Sequence, residues 1–194
     1  MKIKGKGKMK KIISFVLCIV MLQMLLSGCS SSEGTKVDAP EGYVGVTNDA
    51  IHFSVCYPQS WICDRNDGMI SFSPAGDSSS KASISVRESS AMVDAVSPAD
   101  YWSKSKEELE KSGNKCNFLE SKEMKLGDVD ACQAIYGMEV GGNAYKVTQI
   151  FAYKYIDSSH RMFTITFTGT EADYENNDVN SAFKTAISTF LFKE

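Results

Sequence analysis

Cysteine and histidine carry most of the nucleophile, general-base and soft-metal chemistry open to a protein at neutral pH. This chain of 194 residues has six of the first and two of the second. Cys29 stands apart from the others, because it closes an apolar run directly behind the small pair Ser27-Gly28. Cys56, Cys63, Cys116 and Cys132 lie in the body of the chain, with His52 and His160. His52 and Cys56 share a strand face with Cys63 nearby, but three such residues without a C-x-x-C or H-E-x-x-H spacing do not make a zinc set. The acidic run at 173–178 imitates the start of a calcium loop. Its position six is Asp178 where glycine is required, and its position twelve is Lys184 where a bidentate glutamate belongs. The two histidines are the candidate bases of an unrecognised hydrolase, yet no G-x-S-x-G elbow, Walker loop or dinucleotide glycine pattern supplies partners for such a base. The expectation is a non-enzyme that uses no cofactor and no metal.

The setting of Cys29 is more specific. Lys2, Lys4, Lys6, Lys8, Lys10 and Lys11 form a basic stretch without an acidic residue, and the apolar run at 12–26 that follows has the length of a signal-peptide core. It is shorter than the roughly 20 apolar residues that span a bilayer. The tetrad Leu26-Ser27-Gly28-Cys29 resembles the lipobox recognised by lipoprotein signal peptidase. That resemblance implies a signal peptide over residues 1–28, removal of it, and a diacylglyceryl group on the Cys29 thiol, which becomes the first mature residue. The expected place is the extracytoplasmic face of the cell membrane, with the bilayer as a partner through the lipid anchor. Two acyl chains hold stably where one does not. Residues 29–41 are the lipidated N-terminus and a flexible tether, since 30–41 holds three serines, Gly34 and Pro40 without periodicity.

Loss of residues 1–28 removes six lysines, leaving 15 basic against 24 acidic residues and a formal charge of −9. A surface of that sign disfavours nucleic acid and anionic polymers, which need cationic patches. The remaining partner class is an envelope protein or a ligand.

Residues 42–194 have ordinary globular composition without a second linker or repeat, and are expected to fold as one α+β domain. Period-two alternation runs through Ile51, Phe53, Val55 and Tyr57, then Ile70 and Phe72, then Ala82, Ile84 and Val86. Ser97-Pro98-Ala99-Asp100 is a helix start, and Ala99, Trp102 and Leu109 fall on one side of the helix that follows to about Ser112. Four longer strands are expected near 115–124, 129–138, 143–155 and 161–169. In the last two, Tyr145, Val147, Phe151, Tyr153 and Tyr155 are expected on one face with Phe163, Ile165 and Phe167, leaving a face of Thr, Lys and Ala that is lightly covered or wet. Thr170 caps a second helix with Asp173 in the capping-box position, and a short closing strand falls at Phe190-Leu191-Phe192.

The four remaining cysteines allow three full pairings. A hairpin turning at Gln59-Ser60 puts Cys56 opposite Cys63, within reach of a disulfide in an exported protein. A hairpin turning at Gly127-Asp128 puts Cys132 opposite Glu123 and points Cys116 to the other side of the sheet. The alternative leaves all four as small core residues.

The segment Phe53-Ser54-Val55-Cys56-Tyr57-Pro58-Gln59-Ser60-Trp61, the Tyr101-Trp102 helix, Lys146-Val147-Thr148-Gln149 and the closing Ala186-Ile187-Ser188-Thr189-Phe190 together resemble the PsbP-like family over most of residues 43–192. The resemblance implies a central antiparallel sheet flanked by helices, an α/β/α sandwich, and a non-enzymatic binding or assembly role. It transfers no site residue.

Overall fold

The computed structural model describes residues 38–48, 51–66, 68–76, 80–90, 97–113 and 115–193. The expected signal peptide, Cys29 and the expected tether as far as residue 37 lie outside the described residues. Among the described residues, no helix is long and apolar enough to cross a membrane.

Among the described residues, ten strands form two antiparallel sheets. The smaller has the order β1 (Tyr43–Asn48), β2 (Ile51–Pro58), β10 (Leu191–Phe192). The larger runs β3 (Trp61–Asn66), β4 (Met69–Pro74), β5 (Ser83–Ser90), β9 (Ser159–Gly169), β8 (Asn143–Ile156), β7 (Val129–Val140), β6 (Cys116–Leu126). Helix α1 (Pro98–Lys111) lies on one face of the large sheet, packed on β6, β7 and β8. The small sheet, α2 (Glu171–Glu175) and α3 (Asn177–Ser188) lie on the other. This is the expected α+β arrangement of a central antiparallel sheet flanked by helices.

The helix ends follow their sequence signals. The Ser97 hydroxyl accepts the Asp100 N–H at 3.1 Å, which satisfies one of the free donors at the start of α1. Thr170 and Asp173 make the reciprocal capping box of α2. The single second helix is in fact two, because Asn176 has an extended backbone (ψ 120°) and its side chain caps α3. A Cβ on Gly169 would sit 2.9 Å from the Asp173 Cβ, so only glycine lets α2 fold back this closely.

Three expectations are corrected. First, β2 and β3 are not a hairpin. Cys56 pairs with Gly45 in the small sheet and Cys63 with Phe72 in the large one, so Gln59-Ser60 is the corner where the chain changes sheets. The Cys56–Cys63 disulfide is not formed, and both are free thiols. Second, β6 carries a bulge between Phe118 and Glu120, which shifts the alternation by one residue. Cys132 does face Glu123, but Cys116 pairs with Met138 and joins the same face as Cys132 rather than the opposite one. Third, the two-residue turn Asp157-Ser158, both in the left-handed region, sets odd positions of β8 against even positions of β9. Tyr145, Val147, Phe151 and Tyr153 therefore face α1, whereas Phe163, Ile165 and Phe167 face the small sheet and α3. A register change of one residue moves every side chain to the other face, so both faces of the sheet centre are core.

Candidate functional site

The histidines were the natural bases, and the structure separates them. His52, at the start of β2, is held by carboxylates on both sides. Its N–H donates to Glu88 Oε2 at 2.8 Å, Nδ1 is 2.7 Å from Glu88 Oε1, and Nε2 is 3.1 Å from Asp157 Oδ2. Both ring nitrogens are already engaged by carboxylate oxygens, so neither is left over for a substrate proton. Arg161 Nη1 is 3.4 Å from Glu88 Oε1, and the Glu88 side chain is only 6% exposed. The cluster ties β2 of the small sheet to β5, β9 and the Asp157-Ser158 turn, which makes it a clamp between sheets. His160 is exposed at that turn, edge-on to Tyr155 at 5.0 Å between ring centres. Neither histidine has a hydroxyl or thiol among its hydrogen-bond partners in the described residues.

The cysteines are similarly quiet. Burial raises the thiols of Cys63, Cys116 and Cys132 above their ordinary range, so they stay protonated at neutral pH and are poor nucleophiles. The neighbour of Cys63 across the sheet corner is Tyr57, not Cys56. Cys56 is fully buried, its Sγ 3.9 Å from the Asp38 carbonyl oxygen. Among the described residues, no group of three or more His, Cys, Asp or Glu side chains is placed to hold a metal ion.

The α1 side of the large sheet divides into two halves. Under α1, Trp102 stacks on Tyr136 at 5.7 Å and on Phe151 at 6.0 Å, with Tyr101 and Phe118 against them. One strand further, at β9, the side chains change type. In one row across the sheet, Gln149 lies beside Thr166, Thr166 beside Ser85, Ser85 beside Ser71 and Ser71 beside Asp64. In the next row the order is Phe151, Thr164, Arg87, Met69, Asn66. Thr168 beside Ser83 continues the pattern on the other side. Adjacent strands lie about 4.8 Å apart, so the hydroxyls form a two-dimensional array.

Most of the array is half-buried, while Ser71 and Thr166 at its centre are buried. A buried chain of hydrogen bonds joins it to the aromatic half. Tyr136 OH donates to Gln149 Oε1 at 3.1 Å, and Gln149 Nε2 donates to Thr166 Oγ1 at 3.2 Å. Burial pushes the Tyr136 hydroxyl far above its ordinary range, which keeps it a neutral donor. Burial likewise raises Tyr101, against the pull of the Arg87 charge, which places Arg87 beside the first turn of α1. A seryl or threonyl hydroxyl both donates and accepts. The array can therefore meet a surface that presents alternating donors and acceptors.

No family model and no curated protein matches the chain. Solved structures do. LpqN, involved in cell envelope biogenesis of Mycobacterium tuberculosis, aligns with a TM-score of 0.57 and 14% identity over 82% of this chain and 90% of its own. CyanoP, the cyanobacterial PsbP of Synechocystis, aligns with a TM-score of 0.56 and 14% identity over 86% of this chain and 98% of its own. PA94 of Pseudomonas aeruginosa, a protein of unknown function, gives 0.56 and 18% over 78% and 98%. The chain has the PsbP-like fold.

Within this PsbP-like fold, the aromatic-Pro-x-x-Trp segment Tyr57–Trp61 is the corner between sheets, with Tyr57 stacked on Phe72 at 4.5 Å. The array is not visible as a unit in the sequence. Its signal was present as two period-two runs, Ser83-x-Ser85-x-Arg87-x-Ser89 and Thr164-x-Thr166-x-Thr168. Only the pairing of β5 with β9 shows that the two runs share one face.

Proposed function

We propose that this chain is a lipid-anchored, extracytoplasmic binding or assembly module of the cell envelope, and that its contact surface is the hydroxyl-lined half of the large sheet. The observation that carries the reading is the change of side-chain type at β9. A face needed only for packing would be apolar from edge to edge, as it is beneath α1. The signal sequence and the Cys29 tetrad support the anchor, and an envelope role agrees with that of LpqN, whose fold the chain shares. No observation favours a hydrolase built on His52 or His160, since one is pinned by carboxylates and the other stands on a tyrosine edge.

Two experiments in the native cell test this. A fatty-acid probe is expected to label the wild-type chain and not a Cys29→Ser variant; equal labelling of both removes the anchor. A photo-crosslinking residue placed at Ser73, two residues beyond Ser71 on the same face of β4, is expected to give a discrete adduct that the same residue at Glu123, on β6 beyond the aromatic half, does not. Identical adduct patterns at the two positions would remove the array as the contact surface.

A further inference from the structure

Among the described residues the two sheets end in four edge strands, β1 and β10 in one and β3 and β6 in the other. An edge strand is a template for a further chain unless something blunts it. Three of the four are blunted. Strand β6 carries Lys122 and Lys125, paired with Glu120 and Asp130, and a bulge between Phe118 and Glu120. Strand β1 has a bulge between Thr47 and Asn48, and its Tyr43 N–H is taken by the Pro40 carbonyl at 3.0 Å. Strand β10 is two residues long, and beside it the Thr189 hydroxyl accepts the Cys56 N–H of β2 at 3.0 Å.

Strand β3 has none of these devices. Its six residues pair with β4 in unbroken register and include no lysine or proline. The register also fixes where the backbone points. The Gly68 carbonyl accepts the Glu88 N–H at 2.9 Å, so even positions of β4 turn their backbone groups to β5, and Met69, Ser71 and Ser73 turn theirs to β3. The partners of those three are Asn66, Asp64 and Ile62. Trp61 and Cys63 therefore direct N–H and C=O away from β4, about 6.8 Å apart, which is the repeat of a neighbouring strand.

This edge borders the hydroxyl half. Exposed Asp64 ends the row that runs through Ser71, Ser85 and Thr166, and Ile62, 46% exposed, lies beside Ser73. Arg65 is on the opposite face, hydrogen-bonded to the Cys63 side chain, so Asp64 is the charge that β3 presents on the array side.

We propose that an extended segment of an envelope protein adds to the seven-stranded sheet as a further strand beside β3, with a basic side chain opposite Asp64. The inference rests on the hydroxyl half as contact surface and adds the manner of contact, in which backbone pairing at β3 holds the segment and covers Ile62.

The test reads amide hydrogen exchange in the full-length protein, alone and as the crosslinked complex formed through Ser73 in the native cell. Alone, the Trp61 and Cys63 amides are expected to exchange fast, while those of Ile62 and Asp64, bonded to β4, exchange slowly. Slow exchange at all four would mean that the chain itself already fills the edge, and would overturn the proposal. In the complex, the Trp61 and Cys63 amides are expected to become slow. Fast exchange there would overturn strand addition and leave the array as contact surface. Asp64→Lys, at an exposed position, is expected to lose the adduct with an unchanged melting temperature; an undiminished adduct would overturn the charge pairing at Asp64. An adduct made of two copies of this chain would overturn the assignment to another protein. Absence of any adduct from the otherwise unaltered chain would overturn the contact surface, and strand addition with it.

Discussion

On the α1 side of the large sheet, β6, β7 and β8 present rings, and β9, β5 and β4 present hydroxyls, although both halves belong to one continuous hydrogen-bonded sheet. The backbone does not distinguish them. The aromatic half is covered by α1 and closed by five rings linked in one chain of contacts through Trp102 and Phe151. The hydroxyl half keeps partial access to water and makes its side-chain bonds sideways, through Gln149, into the first half. The difference teaches where stability and recognition are separated. Substitutions in the first half remove buried contacts, while substitutions in the second change what the surface can bind.

The largest expected effect comes from emptying the aromatic half. Trp102→Ala should lower the unfolding free energy by about 3–5 kcal/mol, read by chemical denaturation, because it removes the ring on which Tyr136 and Phe151 stack. The seam should come next. Gln149→Ala leaves the buried Tyr136 hydroxyl without its acceptor and should cost about 1–3 kcal/mol by the same measurement.

Asp173 supplies a control away from both halves. Burial acts to raise its carboxyl, but hydrogen bonds from the Thr170 N–H, the Ser80 and Thr170 hydroxyls and the Lys81 N–H outweigh that and hold it below the ordinary carboxylate range. A carboxyl lowered by folding adds stability above its unfolded value of about 4 and loses it as the pH falls through the folded one. Wild type should therefore lose stability in acid more steeply than Asp173→Asn, and the two curves should converge at the lowest pH. The smallest effect belongs to the hydroxyl half. Ser85→Ala and Thr164→Val should change stability by no more than about 0.5 kcal/mol, yet reduce the Ser73 crosslink. A cost near that of Trp102→Ala would erase the distinction between the halves.

Local elements were readable before the fold was. The Ser97 cap, the Thr170–Asp173 capping box and the turns at Gly127-Asp128 and Gly141-Gly142 are determined by neighbours in sequence, and each stands where its residues place it. What depended on pairing between strands was not readable. The Gln59-Ser60 corner has the residues of a hairpin, but β2 takes β1 and β10 as partners, which no local pattern announces. The phase of Cys116 turned on one extra residue near Leu119, and the phase of Phe163, Ile165 and Phe167 turned on the register fixed by Asp157-Ser158. The hydroxyl array stayed hidden for the same reason. Its residues alternate visibly along β5 and β9, and become a surface only when the 68 residues between Ser90 and Ser159 bring the two strands together.

The division of the sheet face is tested most directly by adding a soluble paramagnetic chelate to the labelled protein and reading the broadening of side-chain NMR signals. Thr164, Thr168 and Ser85 are expected to broaden strongly, while Tyr136, Phe151 and Trp102 stay sharp. Equal protection of both sets would mean that the hydroxyl half is covered as completely as the aromatic one, and would contradict its role as the contact surface.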